Sequence, residues 1–548
     1  MKIVIIGGVA AGASAATKAR RVNENAEIII LEKGPYVSFA NCGLPYFVGG
    51  EIPEKDHLLL VTPELFKKRF HIDVRLQHEA TDIDPTEKTV TVQSPEKTYQ
   101  EKYDKLIIAT GAEPVKPPLS GIDLPQVFTV ATVPDAESIV EHLSAGAKRA
   151  VVVGGGYIGL ETAEALLRKG IKTTLIQRSK QLLKNFDAEF SEPLEKHLQE
   201  LGCRLVLGHS LAKIVGEEKV EAVELSNGRQ LSTDMVILAT GVRPRAELAQ
   251  KAGLKIGQSG GIVVNAAMQT SDPFIYAAGD VVESLHLVSG KRVRIPLAGS
   301  ANKQGRVAGA NAAGSKMLFK GVLGTAIIRV GKLTLARTGL NEKEAQEAGK
   351  DYFVTYSPLN SHVTYYPGAQ EMIIKLIAEN FTGRILGAQI IGSLGVDKRI
   401  DVLATAIYAG LSVFDLEDLD LAYAPPYGAA KDPVIMVGMI AANVIRGEVK
   451  HFTPQQLDEL KEQDNVLLLD VRSRGEFAKG AIDGAVNIPV DELRSRWQEI
   501  DPQKTLLVYC RSGYRSYIAC RFLQHQGYKA YNLSGGYKAY KMDVQVKD

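Results

Sequence analysis

Two cysteines sit where a thiol has chemistry available to it. The first is Cys42, in Ser38-Phe-Ala-Asn-Cys42-Gly-Leu-Pro-Tyr46. No second cysteine lies four or five residues away, so this is not a local dithiol pair. It is either a redox thiol that works alone or a buried structural cysteine, since free cysteine is among the most buried residue types. The second is Cys510, in Cys510-Arg-Ser-Gly-Tyr-Arg515-Ser516, between an apolar strand ending at Tyr509 and a helical stretch from Tyr517 to His525. Consecutive backbone N–H groups running into a helix N-terminus surround such a thiol with positive potential. Arg511 and Arg515 add charge, so the thiolate, and equally a persulfide anion, is favoured there. Cys520, one helix in, is the better candidate for inert core.

The elements that must position Cys42 begin at the N-terminus. A strand, Lys2 to Ile6, runs into Gly7-Gly-Val-Ala-Ala-Gly12, then a helix from Ala13 to Arg21, then a strand ending in Glu32. That order places a pyrophosphate on a helix N-terminus and a carboxylate on a ribose hydroxyl. Val9 stands where the middle glycine is usual. A second unit follows: a strand to Val153, Gly154-Gly-Gly156-Tyr-Ile-Gly159-Leu-Glu161, a helix to Lys169, and a strand ending in Gln177-Arg178. Its glycine pattern is complete, which supports nucleotide binding strongly. Its strand ends in neutral Gln177 rather than an acid, and Arg178 suits a 2′-phosphate, so NADH and NADPH both remain open. Two strands run into matching Ala-Thr-Gly turns, one with Thr110-Gly111 and one ending at Gly241, and a later strand ends in Gly279-Asp280. Lys67, Lys68 and Arg69 either face a phosphate-bearing substrate or form a solvated helix face.

Length and composition set the frame. A chain of 548 residues suggests about three to four domains. The net charge of +2 implies no pull toward nucleic acid or acidic membranes. No apolar run reaches the ~18 residues of a membrane span, and the N-terminus lacks a secretory pattern, so the expected compartment is cytoplasmic. Four cysteines are too few for a disulfide scaffold, and none is paired at zinc-ligand spacing, so no metal is expected.

Two dinucleotide units, two Ala-Thr-Gly turns and one Gly-Asp together resemble the pyridine nucleotide–disulfide oxidoreductase family, over roughly residues 1–445. The resemblance implies α/β architecture with two nested Rossmann-like domains and an α+β dimerisation domain. FAD would be held by Gly7, Gly12, Glu32 at its ribose, Thr110, Gly111, Gly279, and Asp280 at the ribityl chain. NADH or NADPH would lie on Gly154, Gly156, Gly159, Gln177, Arg178 and Gly241. The expected boundaries are 1–110 with 245–323 for FAD, 111–244 for NAD(P)H and 324–445 for dimerisation.

Within the family, Asn41-Cys42-Gly-Leu-Pro-Tyr is similar to the single-cysteine branch of coenzyme A-disulfide reductases, NADH oxidases and NADH peroxidases. Ala10 stands in the glycine turn where the oxidases and peroxidases usually carry histidine, which favours the disulfide reductases. The resemblance implies that Ser38 and Asn41 hold coenzyme A near the thiol; Lys67, from the basic run above, is the cation expected to face a phosphate-bearing substrate. It also implies a homodimer whose tyrosines complete the partner's site. Tyr365, in Val363-Thr-Tyr365-Tyr366-Pro, and Tyr423, in Ala422-Tyr423-Ala-Pro-Pro-Tyr427, are the expected pair. A phenol suits a departing thiolate, and tyrosine also suits plain interface packing.

After a linker at 446–452, residues 453–548 resemble a single-domain α/β rhodanese, by Asp470-Val-Arg472, Asn487-Ile-Pro489 and the Cys510 loop. Arg515 comes five positions after Cys510. Phosphatases with a related loop carry one residue more, so the loop suits a sulfur atom rather than a phosphate. The two parts together resemble the coenzyme A-disulfide reductase–rhodanese fusions, which include NADH-dependent persulfide reductases. The implied substrates are a persulfide, a polysulfide or coenzyme A disulfide, with catalysis at Cys42 and Cys510 and substrate held by Arg511 and Arg515. An NAD(P)H oxidase or peroxidase with an accessory rhodanese is the alternative, and a non-catalytic docking role for the C-terminal module is a third reading.

Overall fold

The computed structural model describes residues 1–547, with side chains to Asp543. The chain forms two compact units, residues 1–182 with 198–322 and residues 183–197 with 323–548. No helix among the described residues is long and apolar enough to cross a membrane.

The first unit holds two five-stranded parallel sheets. One has the order Ile275–Ala277, Lys105–Ile108, Lys2–Ile6, Glu27–Glu32, Asp73–Leu76. The other has the order Arg204–Leu207, Lys172–Gln177, Arg149–Val153, Met235–Leu238, Val127–Phe128. The central strands are buried along nearly their whole length, as continuous Val/Ile runs in a parallel sheet require. Beside the first sheet, the helices Ala10–Val22 and Ala298–Ala312 meet backbone to backbone. A Cβ on Gly305 or Gly309 would collide with the backbone of Ala11 or Ala15, so glycine sets their spacing. The chain passes between the two sheets through paired short strands, Ala112–Pro114 and Val242–Pro244.

The second unit pairs an antiparallel sheet with a parallel one. The antiparallel order is Ala326–Val330, Leu333–Gly339, Ile385–Gly392, Glu371–Glu379, Tyr352–Asn360. The two strands expected from the sequence, at Glu371 and Ile385, are neighbours in it. The parallel order is Lys450–Phe452, Lys529–Leu533, Thr505–Tyr509, Val466–Asp470, Val486–Asn487.

Two features differ from the boundaries expected above. The segment 446–452, expected as a linker, ends in a strand that pairs with Tyr531–Leu533. It is also tied down by Arg521 on the Glu448 carbonyl and by the His451 ring on the Val354 carbonyl, 2.9 Å. The second difference is residues 183–197, which lie in the range 111–244 expected for nucleotide binding yet group with the second unit. Lys375, fully buried, holds them there. Its ammonium lies 2.6 Å from Asp187, 2.5 Å from Glu189 and 2.5 Å from Glu342. Tyr356 donates to Glu189 at 2.6 Å. Burial pulls the Lys375 pKa down, but Tyr356 and the carboxylates outweigh it, and the net shift is well upward.

Removing one partner from a buried ion cluster strands the charges left behind, at a cost of ~3–5 kcal/mol. Lys375→Met is therefore expected to lower the thermal midpoint by several degrees. Glu189→Gln added to it is expected to restore part of the loss, as followed by circular dichroism.

Candidate active sites

The site around Cys42 is built on a glycine turn. After the strand Lys2–Ile6, Gly7 adopts φ +95°, with the Ala109 carbonyl where its side chain would stand. The Glu32 carboxylate accepts from Gly8 N–H and from Gly34 N–H, each at 2.8 Å, which holds it at the turn. The second unit repeats this. Gly154 has φ +116° under the Ala239 carbonyl, and Gly155 N–H donates to Gln177 at 3.2 Å. Gly12 and Gly159 each press on the first glycine's carbonyl. Thr110 donates to the Arg245 carbonyl at 2.7 Å, and Gly111 and Gly241 both have positive φ.

These residues fit two dinucleotides. Neither the helix after Val9 nor the helix after Gly156 has a side-chain cap, so the N–H groups of their first turns are left for a pyrophosphate. A Cβ on Gly156 would meet no protein atom within 4 Å, so the backbone there faces open space. At the matching position of the first unit, Val9 is only half-buried. Arg178 is exposed beside Gln177, whose amide is held by Ser179 at 2.8 Å.

Cys42 is tied to the first turn through Ser38, whose N–H donates to the Gly8 carbonyl at 2.9 Å. Ser38 is buried at φ +49°, a left-handed conformation that turns the chain back over the glycine loop. The short turn Asn41–Gly43 then leads into the helix Leu44–Val48, with Asn41 and Cys42 both exposed. Asn41 donates to the Ala131 carbonyl at 3.4 Å. The structure thus favours an accessible thiol over a buried one. Protein packed around Cys42 raises its pKa, and the negative charges of Glu161 and Asp280 raise it further. Burial also lifts Asp280 and Glu161 above the usual carboxylate range. Tyr46 donates to Glu161 at 3.1 Å.

Sequence assigns no role to Glu161 or Tyr46. Glu161 stands two positions after Gly159, but its proximity to Cys42 spans 119 positions of sequence. Lys67 is exposed in the last turn of the helix Pro63–Phe70, beside Lys68 and Arg69, where a basic residue also suits the helix dipole.

In the second unit, Tyr365 and Tyr423 meet hydroxyl to hydroxyl at 2.8 Å, both exposed. The bond from Tyr365 raises the Tyr423 pKa. Of their neighbours, Tyr366 packs edge-on to His362 at 5.6 Å between ring centres, and Tyr427 is exposed.

Cys510 is buried and its sulfur receives two donors. Gly513 N–H lies 3.1 Å from the sulfur and the Ser516 hydroxyl 3.3 Å. Gly513, at φ +98°, starts the helix Tyr514–His525. The last helix caps the loop from above: Tyr537 N–H donates to the Cys510 carbonyl at 2.7 Å and Lys538 N–H to the Arg511 carbonyl at 3.1 Å. Arg515 is fixed by two bonds to Glu476, 2.7 and 2.8 Å. That contact lowers the Glu476 pKa to about 2. Cys520 is fully buried, and burial raises its thiol far above the usual range. Such an arrangement can hold a thiolate or persulfide anion without a metal ligand set.

Comparison with known proteins agrees with this geometry. Residues 1–305 match the pyridine nucleotide-disulphide oxidoreductase family, 325–433 its dimerisation domain and 453–543 the rhodanese-like domain. A Pyrococcus furiosus protein named NAD(P)H sulfur oxidoreductase (CoA-dependent) is 42% identical over 80% of this chain and 98% of its own. The crystal structure of reduced Bacillus anthracis CoADR-RHD is 43% identical, with TM-score 0.96, over 99% of this chain and 98% of that one. An A. fulgidus NAD-dependent persulfide reductase is 42% identical, with TM-score 0.91, over 98% of this chain and 100% of that one.

The Glu476–Arg515 pair carries a pH dependence. Because the folded-state pKa is depressed, its stabilisation is complete above the ordinary carboxylate value of 4.5 and is lost as pH falls toward about 2. Glu476→Gln is therefore expected to be less stable than the parent at pH 7. The gap should close as pH falls through that window, as measured by urea midpoints at pH 7, 5 and 3.

Proposed function

This chain belongs to the pyridine nucleotide-disulphide oxidoreductase family, and on that premise we propose that it is a flavin-dependent NAD(P)H reductase of persulfides, polysulfides or coenzyme A disulfide that also transfers sulfur through a rhodanese domain. The observation that carries the reading is Cys42: a lone, accessible thiol beside Asp280, on a segment bonded to the glycine turn. FAD would be held by the Gly7 turn, Glu32 and Asp280, and when bound it would supply two-electron transfer between NAD(P)H and the sulfur chemistry at this thiol.

The remaining steps belong to the chain's own residues. Cys42 thiolate attacks a sulfur of the substrate's S–S bond. One S–S bond forms on Cys42, the substrate's breaks, and HS⁻ or coenzyme A thiolate leaves with the electron pair. The protein packed around Cys42, and after it the charges of Glu161 and Asp280, disfavour its resting thiolate. Ser38 and Asn41 place the substrate's coenzyme A beside the thiol. Tyr365 and Tyr423 lie in the range matched by the dimerisation domain. In a homodimer, this hydrogen-bonded pair protonates the thiolate leaving the partner subunit's site. Ala10, the first residue of its helix, puts a methyl group where an oxidase or peroxidase would carry an imidazole. Cys510, with Gly513 N–H and Ser516 as donors, carries sulfane sulfur as a persulfide.

Cys42→Ser is expected to abolish NAD(P)H-coupled reduction of coenzyme A persulfide while leaving thiosulfate sulfurtransfer intact. Retained reductase turnover would overturn the assignment. Tyr423→Phe is expected to slow reoxidation of the reduced enzyme ~10- to 100-fold with little change in flavin reduction by NAD(P)H. Anaerobic stopped-flow absorbance separates the two half-reactions, and rapid reoxidation by oxygen alone would favour the oxidase alternative.

A further inference from the structure

Three cations at the Cys510 loop, Arg511, Arg515 and Lys538, each meet a carboxylate. Arg515 is neutralised by Glu476, from the same domain. The outer pair is Arg511, which follows Cys510, and Lys538, whose backbone N–H sits on the Arg511 carbonyl. Both reach Glu371. Lys538 is in direct contact with it, and an Arg511 nitrogen lies 3.9 Å away. Glu371 does not come from the rhodanese domain. It opens the strand Glu371–Glu379 of the antiparallel sheet, in the dimerisation domain. The part of the chain that serves reduction therefore supplies the counter-ion at the rim of the sulfur-transfer loop.

The contact is built rather than incidental. Gly535 packs against the Cβ of Tyr356, in the strand next to Glu371–Glu379, and Tyr356 N–H donates to Ser534 at 2.8 Å. Backbone on both sides is thus pinned within a few residues of the ion contact. The Lys538 side chain is mostly buried and Glu371 is less than half exposed, so solvent screens their charges only in part.

We infer that Glu371 sets the donor specificity of the Cys510 site, cancelling one of the two rim charges and so disfavouring dianionic sulfur donors relative to monoanionic ones. Arg511, Lys538 and Glu371 together present one net positive charge, where Arg511 and Lys538 alone would present two. A dianion loses more from that change than a monoanion. The inference rests on the reading of Cys510 as the sulfur carrier. In that step Cys510 thiolate attacks the outer sulfur of thiosulfate, a new S–S bond forms, and the old one breaks. Sulfite departs with the electron pair, leaving Cys510 persulfide. Cyanide then takes the outer sulfur as thiocyanate and restores the thiolate.

The test compares thiosulfate, a dianion, with methanethiosulfonate, a monoanion of the same chemistry, using the full-length holoenzyme and thiocyanate formation. Glu371→Gln is expected to raise kcat/KM for thiosulfate about tenfold and for methanethiosulfonate about threefold, mainly through KM, with the difference fading at high salt. Lys538→Met is expected to move the ratio the opposite way, which keeps the inference testable if one variant misfolds. NAD(P)H-dependent reduction at Cys42 is expected to stay within about twofold in both variants. A donor ratio unchanged in both, or shifted in the same direction, would overturn the inference while leaving the sulfurtransferase reading in place. Absence of thiocyanate formation in the parent, with turnover equal to that of Cys510→Ser, would overturn both.

Discussion

The carbonyl oxygens of Ala109 and Ala239 occupy the places where side chains on Gly7 and Gly154 would begin. Each carbonyl belongs to an Ala-Thr-Gly turn on the neighbouring strand, and each alanine N–H bonds the strand that ends in the glycine, at 2.8 Å. That close approach forces a left-handed residue at each strand end and starts a helix with uncapped N–H groups. The rest of the first unit follows from it. Glu32 and Gln177 are held by the next N–H, and the Cys42 segment hangs on Gly8 through Ser38. The repetition of one constraint in two sheets is why two cofactors have places in a single unit.

The two thiols are prepared in opposite ways. Cys42 lies exposed, yet the protein packed around it chiefly, and Glu161 and Asp280 after that, raise its pKa. Cys510 is buried, yet it receives an N–H and a hydroxyl bond at the sulfur. A buried thiol ringed by donors suits a site that must store an anion between two transfers. The chemistry differs because the electrostatics differ, although the nucleophile is the same.

Fusion has changed the second site more than simple tethering would. The segment 446–452 is stitched into the parallel sheet, Tyr356 bonds to Ser534, and Glu371 meets Lys538. Gln455 also donates to the Tyr356 hydroxyl at 3.2 Å, which joins the sulfur-transfer domain to the buried Lys375 cluster. A module anchored at this many points is part of one packed body with the antiparallel sheet.

Features written in the local backbone were legible before any fold was known. Gly7 and Gly154 announce turns because only glycine tolerates those angles, and the spacing from Cys510 to Arg515 announces a loop because few residues separate them. Glu32 was readable at its strand end for the same reason, whereas the expected architecture came from the family resemblance. Folding alone brought Glu161 within reach of Cys42 and Asp187 onto Lys375. These pairs lie far apart in sequence, and their partners are ordinary acids and lysines with no signature of their own. The same holds for Glu371, which reads in sequence as the polar start of a strand. A chain writes its turns in residue type, because backbone sterics act over a few residues. It writes its charge partners only in space, because Coulomb attraction and burial depend on distances that the sequence does not contain.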